Sequence, residues 1–252
     1  MQFRKLLTSL GQGEVVIPVI RAALFDPDFK DFEVKVRGFK PRPPDGYFHP
    51  STHPLMGERM LYYYLAQPEK LIPEVMDIHS VMAVTQGHFW HSFIERVGKD
   101  CGLFTGVEVE FRCEETGAKG NMDATLEDEG FEFKTARPNK FREMPKGPPD
   151  DPDLLAWFQG YWPGYYAQGQ EYMRLSGYRR HRMLFLCMDW PYEMREILVP
   201  YDPFFADRIA TKYRRVRQAV ADGREPMPCC FQGSKEARDC GARAICPVGI
   251  AS

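Results

Sequence analysis

The chain of 252 residues is long enough for one large domain, or a domain with a small appendage, and its 44% hydrophobic and 27% charged residues are those of an ordinary globular protein. A net charge of -2 excludes nucleic-acid binding through overall charge alone and leaves that role to local basic patches, at Arg137–Lys146, Arg179–Arg182 and Lys212–Arg217. No apolar run reaches the ~18 residues of a membrane span, and the basic start lacks a signal-peptide core and cleavage site, so a cytoplasmic protein with no membrane partner is expected.

The first fifty residues predict strand and loop, with a Pro-rich stretch over Pro41–Pro50 and no visible chemistry. Leu55–Gln67 has helical spacing and stops at Pro68. Ser80–Cys101 predicts a second helix, with Val81, Val84, His88, His91, Phe93, Ile94 and Val97 on its mostly apolar face. His91 lies on or beside that face, with Glu95 one turn later. A histidine so placed is commonly a satisfied core residue, and His88 competes with it for any functional role. Phe104–Cys113 alternates as a half-buried strand. It leads through a turn at Glu115–Gly117 into two more strands, Met122–Glu127 and Phe131–Thr135, joined at Glu129 and Gly130. Three antiparallel strands in sequence form a meander.

The last hairpin brings Asp123 within reach of Glu132, while Glu132 and Lys134 share a face and Phe133 points away. Two carboxylates on neighbouring strands suit Mg2+, a hard cation that takes oxygen ligands and keeps several waters. An isolated Glu-x-Lys is, however, common by chance and is as readily a solvated ion pair on an edge strand.

Ala136–Asp153 is rich in Pro and charge and predicts a mobile loop beside the carboxylates, either a contact for a phosphate-bearing substrate or a solvated linker. Leu154–Gly177 predicts two helices, broken at Pro163-Gly164 and ended by Gly177, with Gln168 and Tyr172 on one face. Met183–Met188 and Arg195–Val199 predict strands joined at Trp190-Pro191, and Pro203–Asp222 a long helix exposing Arg208, Lys212 and Arg215. Four of the seven cysteines fall in the last 24 residues, a segment too poor in large apolar residues to pack alone, so a metal centre is its natural staple. Cys101, Cys113 and Cys187 lie in apolar patterns and are read as core thiols. No internal repeat, Gly-rich phosphate loop, or Ser or Cys nucleophile signature is present.

Four motifs in order, Gly87-HFW-His91, Gly120-Asn-Met-Asp123, Glu132-Phe133-Lys134 and Gln168-GQE-Tyr172, resemble the RecB-like exonuclease branch of the PD-(D/E)xK nuclease superfamily over roughly Gly87–Pro247. The resemblance implies an α/β fold: a restriction-endonuclease-like central mixed β-sheet flanked by helices, with a small cysteine-rich C-terminal metal-binding lobe. It divides the chain into an N-terminal helical and loop segment (1–79), a nuclease core (80–222) and a metal-binding tail (223–252). It implies that Asp123 and Glu132, helped by the Phe133 carbonyl, hold Mg2+ or Mn2+, and that His91 completes the shell and favours Mn2+. Lys134 then positions and activates the attacking water, and Gln168 and Tyr172 orient Lys134 or contact the DNA backbone.

Several members of that branch carry a 4Fe-4S cluster on one cysteine upstream of the nuclease core and three near the C-terminus. Cys240-x5-Cys246-Pro247 resembles the final pair. The upstream cysteine is missing, because HPSTHPLMGERMLYY has Gly57 and then Arg59 at that place. Either the tandem Cys229-Cys230 supplies two ligands to an all-C-terminal set, or one of them binds and His53, Cys101 or Cys113 completes it. Zn2+ accepts the same four thiolates in a tetrahedral structural site; the resemblance favours the cluster.

The function implied is a Mg2+- or Mn2+-dependent deoxyribonuclease, an exonuclease acting on DNA ends or single strands rather than a sequence-specific endonuclease. Two alternatives come from other classes: a non-catalytic DNA-binding or adaptor protein on a nuclease scaffold, and a structural-metal protein whose Glu-x-Lys is coincidental. The compact size and lack of helicase motifs fit a phage-encoded or CRISPR-associated setting, with recombination, repair or CRISPR-type protein partners.

Overall fold

The computed structural model describes residues 13–26, 28, 33, 43–73, 76–190 and 192–250; Pro41 and Pro191, on which two sequence expectations fall, lie outside them. In chain order, α1 (Val16–Leu24), α2 (Glu58–Ala66) and α3 (Ile78–Asp100) precede the strands β1 (Gly106–Cys113), β2 (Ala118–Leu126) and β3 (Glu129–Ala136). Then come α4 (Pro138–Arg142), α5 (Pro152–Tyr161), α6 (Pro163–Ser176), β4 (Arg180–Cys187), β5 (Met194–Pro200) and α7 (Pro203–Ala221), with α8 (Lys235–Asp239) and α9 (Pro247–Ile250) in the tail. The sheet has five strands in the order β1-β2-β3-β4-β5. β3 and β4 are parallel and the other neighbours antiparallel. A parallel pair needs a crossover, and α4 to α6 supply it. The fold is therefore α/β, a mixed sheet flanked by helices, as the motifs imply.

The run RMLFLC in β4 does not alternate because it is covered on both faces. Leu184 and Leu186 join the core under α1 and α3, while Met183, Phe185 and Cys187 join the core under α5 and α6. A third core ties α2, α7 and the tail together through Leu61, Tyr213, Val216 and Cys246. Full burial of one such side chain contributes about 1.5–3 kcal/mol.

Several expectations are corrected. Val16–Leu24 is a helix rather than strand and loop. Its start is capped from far away, by Glu196 of β5, whose carboxylate accepts the N–H of Val15 at 3.1 Å and of Ile17 at 2.7 Å. Pro18 sits in the first turn, where a missing N–H costs no helical bond. The hairpin turn lies at Glu127 and Asp128, not Glu129 and Gly130, because Leu126 pairs with Glu129. Glu127 takes the left-handed backbone (φ 38) that tight hairpins demand. The Ala136–Asp153 stretch is not irregular throughout: it contains α4, and Phe141, Met144 and Pro149 are buried. Arg182 is no surface charge, since it lies 1% exposed between Glu129 at 2.9 Å and Glu196 at 2.8 Å. Lys212 is half-buried and donates to the carbonyls of Pro54 and Met56.

α3 begins two residues before the predicted start because Asp77 caps it, accepting the Ser80 N–H at 2.7 Å. The α5–α6 break and the Gly177 stop stand as expected, with Gly177 left-handed at φ 80.

Candidate active site

His91 on α3, Asp123 on β2, Glu132 and Lys134 on β3, and Gln168 and Tyr172 on α6 all line one cavity of ≈300 Å³. His88 lines it as well, so the two histidines of α3 share the site rather than compete for it. The β2–β3 ladder pairs Ala124 with Phe131 and ends there. Beyond that point the Asp123 side chain takes over, its Oδ2 accepting the Phe133 N–H at 2.8 Å. The same Oδ2 lies 2.9 Å from Nε2 of His91, which is also 3.3 Å from Glu95. Oε2 of Glu132 is 2.7 Å from Nζ of Lys134. β3 is the middle strand of the sheet and Glu132 is 1% exposed, so this is not a solvated pair on an edge. Phe133 points to the opposite face, into the core under α3, and its ring stacks on His91 at 6.3 Å.

The charges are strongly interdependent. Burial opposes ionisation of Asp123, yet the charges of His91 and Lys134 and the Phe133 N–H hold its carboxyl below the ordinary range. Burial and the neighbouring Asp123 charge push Glu132 up to about 8, against the pull of Lys134 and His91. Burial works against protonation of His91 as well, but Asp123, Glu95 and Glu132 outweigh it and hold the imidazole up at about 9. Lys134 is likewise raised, the Glu132 and Asp123 carboxylates overcoming its desolvation. Oε1 of Glu132 is buried with no hydrogen-bond partner among the described residues. An orphaned acceptor of this kind costs about 1–3 kcal/mol. Two carboxylates, an imidazole and an orphaned carboxylate oxygen are the donor types a divalent cation takes. Among the described residues, however, the set whose ligand atoms all lie within 4.8 Å of one another is His91, Glu95 and Glu108 rather than His91, Asp123 and Glu132.

No known family's sequence model matches the chain, and no curated protein matches it. Solved structures do resemble it in three dimensions. The protein SSO0001 is 18% identical, over 94% of this chain and 98% of its own, with a TM-score of 0.43. LHK-Exo in complex with dAMP is 12% identical, over 71% of this chain and 90% of its own, with a TM-score of 0.48. A proposed exonuclease from Eubacterium rectale is 18% identical, over 69% of this chain and 73% of its own, with a TM-score of 0.33. Likenesses this distant leave the function to be argued from the residues in the cavity.

Two of those residues are carboxylates that sequence reasoning did not select. His91, Glu95 and Glu108 each offer a ligand atom within 4.8 Å of the others. Glu95 was legible as the residue one helical turn after His91. Glu108 was not, because it alternates with Glu110 in GVEVEF and nothing in that pattern separates the two. The structure separates them by backbone: Glu108 is left-handed (φ 51), lines the cavity and is half-buried, whereas Glu110 is exposed. His49, from the stretch with no visible chemistry, also lines the cavity, its Nδ1 on the Lys119 carbonyl and its Nε2 on Asp45, both at 2.9 Å.

The Tyr172 hydroxyl donates to the Asn121 carbonyl at 2.5 Å and so props β2 two residues from Asp123. The ring that lies against Lys134 belongs to Tyr165, 5.3 Å from Nζ. Gln168 is 3% exposed and opens on the cavity.

In the tail, Cys230 lies within electrostatic reach of Cys229, Cys240 and Cys246, and Cys240 of Cys229 and Cys246. The group rests on the start of α2: a Cβ at Gly57 would overlap Cβ and Sγ of Cys229, and Sγ of Cys240 is 3.6 Å from Sδ of Met60. The alternative ligands are engaged elsewhere. Nδ1 of His53 accepts the His49 N–H at 2.6 Å, Cys101 donates to the Gly98 carbonyl at 3.5 Å, and Cys113 interacts with Thr116 and Arg174. Cys113 is thus a polar-bonded thiol rather than a core one.

Proposed function

We propose that the chain is a metal-dependent DNA nuclease of the RecB-like type, an exonuclease that hydrolyses phosphodiester bonds at DNA ends or in single strands. The observation that carries this reading is the buried Glu132–Lys134 pair on the middle strand, facing one cavity with Asp123 and His91. Asp123, Glu132 and His91, with the Phe133 carbonyl, would hold Mg2+ or Mn2+, and Glu95 and Glu108 extend the acidic rim. When bound, the ion stabilises negative charge on the scissile phosphate and the leaving oxygen.

Lys134 is an ammonium at neutral pH, because the two carboxylates raise it. It therefore positions the attacking water as a charged donor. Tyr165 and the Glu132 carboxylate fix the direction of its Nζ. Tyr172 keeps β2 in register beside Asp123, and Gln168 offers an amide to the DNA backbone. His88 and His49 close the cavity on the sides facing α3 and the 49–51 loop.

For residues 223–252 the reading is a 4Fe-4S site on Cys229, Cys230, Cys240 and Cys246. It rests on the resemblance of Cys240-x5-Cys246-Pro247 to the branch's final cysteine pair and on the engagement of His53, Cys101 and Cys113 elsewhere. A zinc site would use the same residues. Anaerobic purification with metal and sulfide analysis distinguishes the two: about four irons for the cluster, one zinc for the alternative. The catalytic reading is tested by titrating Mn2+ into wild type and an Asp123→Ala/Glu132→Ala double variant. Binding lost in the double variant supports it; equal binding overturns it.

A further inference from the structure

Beyond the cavity, large aromatic side chains stand in solvent at the end of β3 and β4. Trp190 is 81% exposed, Tyr192 43% and Phe89 39%. They are not scattered. Tyr192 packs on Trp90 of α3 at 5.7 Å and meets Trp190 at 6.5 Å, and Phe89 meets Trp90 at 5.4 Å. The shelf sits close to the chemistry. Lys134 pairs with Phe185 and Ala136 with Cys187, and the next residue, Met188, donates to the Ala136 carbonyl at 3.0 Å. Ala136 is two residues beyond Lys134, about 7 Å along the strand. Gly87 of α3 lies against Thr135, so the helix carrying Phe89 borders the same end.

Exposed cations flank this surface. Arg137 follows Ala136 directly and attracts Asp77 at the start of α3. Arg142 of α4 reaches Asp189, beside Trp190, at 3.5 Å. Solvent-facing aromatics interleaved with arginines are the combination that binds unpaired nucleotides, since rings stack on free bases and cations track the backbone. Paired bases of a duplex are already stacked on one another and offer such rings little.

Resting on the nuclease reading, we infer that Trp190, Tyr192 and Phe89 form a stacking shelf for single-stranded DNA, whose backbone passes Arg137 and Arg142 on its way to Lys134. The substrate class is then unpaired DNA, as a single strand or a frayed end, rather than intact duplex.

The test is fluorescence anisotropy without added Mg2+ or Mn2+, which withholds cleavage while leaving any metal of the tail in place, with a labelled 20-nucleotide oligo-dT and a 20-base-pair duplex. Wild type binds the single strand about tenfold or more tighter than the duplex. Trp190→Ala/Tyr192→Ala loses about tenfold or more for the single strand, at an unchanged slope of log affinity against log salt. Arg137→Ala/Arg142→Ala flattens that slope by about 1.4, two phosphate contacts at about 0.7 each. Thermal melts check that the variants, altered only at exposed positions, remain folded. Equal single-strand binding by wild type and the aromatic variant overturns the shelf, as does a wild-type preference for duplex. Binding of neither DNA by wild type also overturns it and points to a protein partner. Failure of the nuclease reading looks different: the binding pattern holds, and Mn2+ produces no cleavage.

Discussion

Nε2 of His91 stands 2.9 Å from Oδ2 of Asp123, joining α3 to β2 across the cavity. If both groups hold the same cation, removing either weakens it. Asp123→Asn should reduce Mn2+ affinity by about 100-fold or more, beyond what loss of an outer-shell partner usually does, without changing the far-ultraviolet circular dichroism. His91→Gln should reduce it less. Affinity unchanged in Asp123→Asn would remove the residue from the metal site.

Metal binding should strengthen with pH. Without a cation, Glu132 holds its proton up to about 8 and His91 up to about 9. Both must release protons to ligate, so affinity is low at pH 6 and rises toward pH 9, with up to two protons released per ion at neutral pH. Calorimetry of Mn2+ binding in buffers of different ionisation enthalpy counts those protons. A flat profile with no proton release would contradict the arrangement.

Glu108 is left-handed within a strand, a conformation that costs a non-glycine residue about 1–2 kcal/mol. Glu108→Gly relieves the strain and the repulsion from Glu95, offset in part by loss of the Asn121 amide that donates to it at 3.5 Å and of its attraction to His91, and by the larger unfolded-state entropy of glycine. The variant should melt about 2–4 °C higher while binding Mn2+ more weakly. A lower melting temperature would mean that the carboxylate stabilises the fold rather than serving the site.

The legible parts of this fold and the opaque ones differ in the range of the forces behind them. The β1–β3 meander, the Pro163 break and the Gly177 stop come from local patterns, and the structure has them close to the expected positions. The spacing of Asp123, Glu132 and Lys134 likewise carried their shared cavity, because strand geometry fixes which side chains share a face. α1 was not legible, since its cap comes from Glu196 of β5, remote in sequence. Nor was the burial of Arg182, which depends on Glu129 and Glu196 arriving from two other strands. Glu108 was hidden for a third reason: a single backbone dihedral, invisible in an alternating pattern, turns it toward the site.

His181 on β4 is fully buried, stacks on Tyr172 at 6.1 Å, and has no hydrogen-bond partner on either ring nitrogen among the described residues. Burial, aided by the charge of Lys134, lowers it to about 3, from an ordinary value of 6.5. The native state therefore refuses a proton that the unfolded chain accepts. Stability is fully present above pH 6.5 and is lost as pH falls toward 3, by on the order of 4 kcal/mol from this group. Denaturant midpoints should fall across that window in wild type and fall less steeply in His181→Leu. Parallel slopes would contradict it.

Gly57 has ordinary backbone angles (φ -68), so Gly57→Ala is free of strain except for its overlap with Cys229. If the tail holds iron or zinc through Cys229, the substitution should displace that thiol and lower the metal content of the purified protein. Undiminished metal content would exclude Cys229 from the ligand set.

The most direct test of the catalytic centre is cleavage of end-labelled single-stranded DNA with Mn2+, with EDTA, and with Lys134→Ala in place of wild type. The cavity geometry predicts Mn2+-dependent shortening from an end by wild type, none in EDTA, and a rate lower by about 10²–10³-fold or more in the variant. Cleavage by Lys134→Ala at the wild-type rate, or no cleavage by wild type under either metal condition, would contradict it.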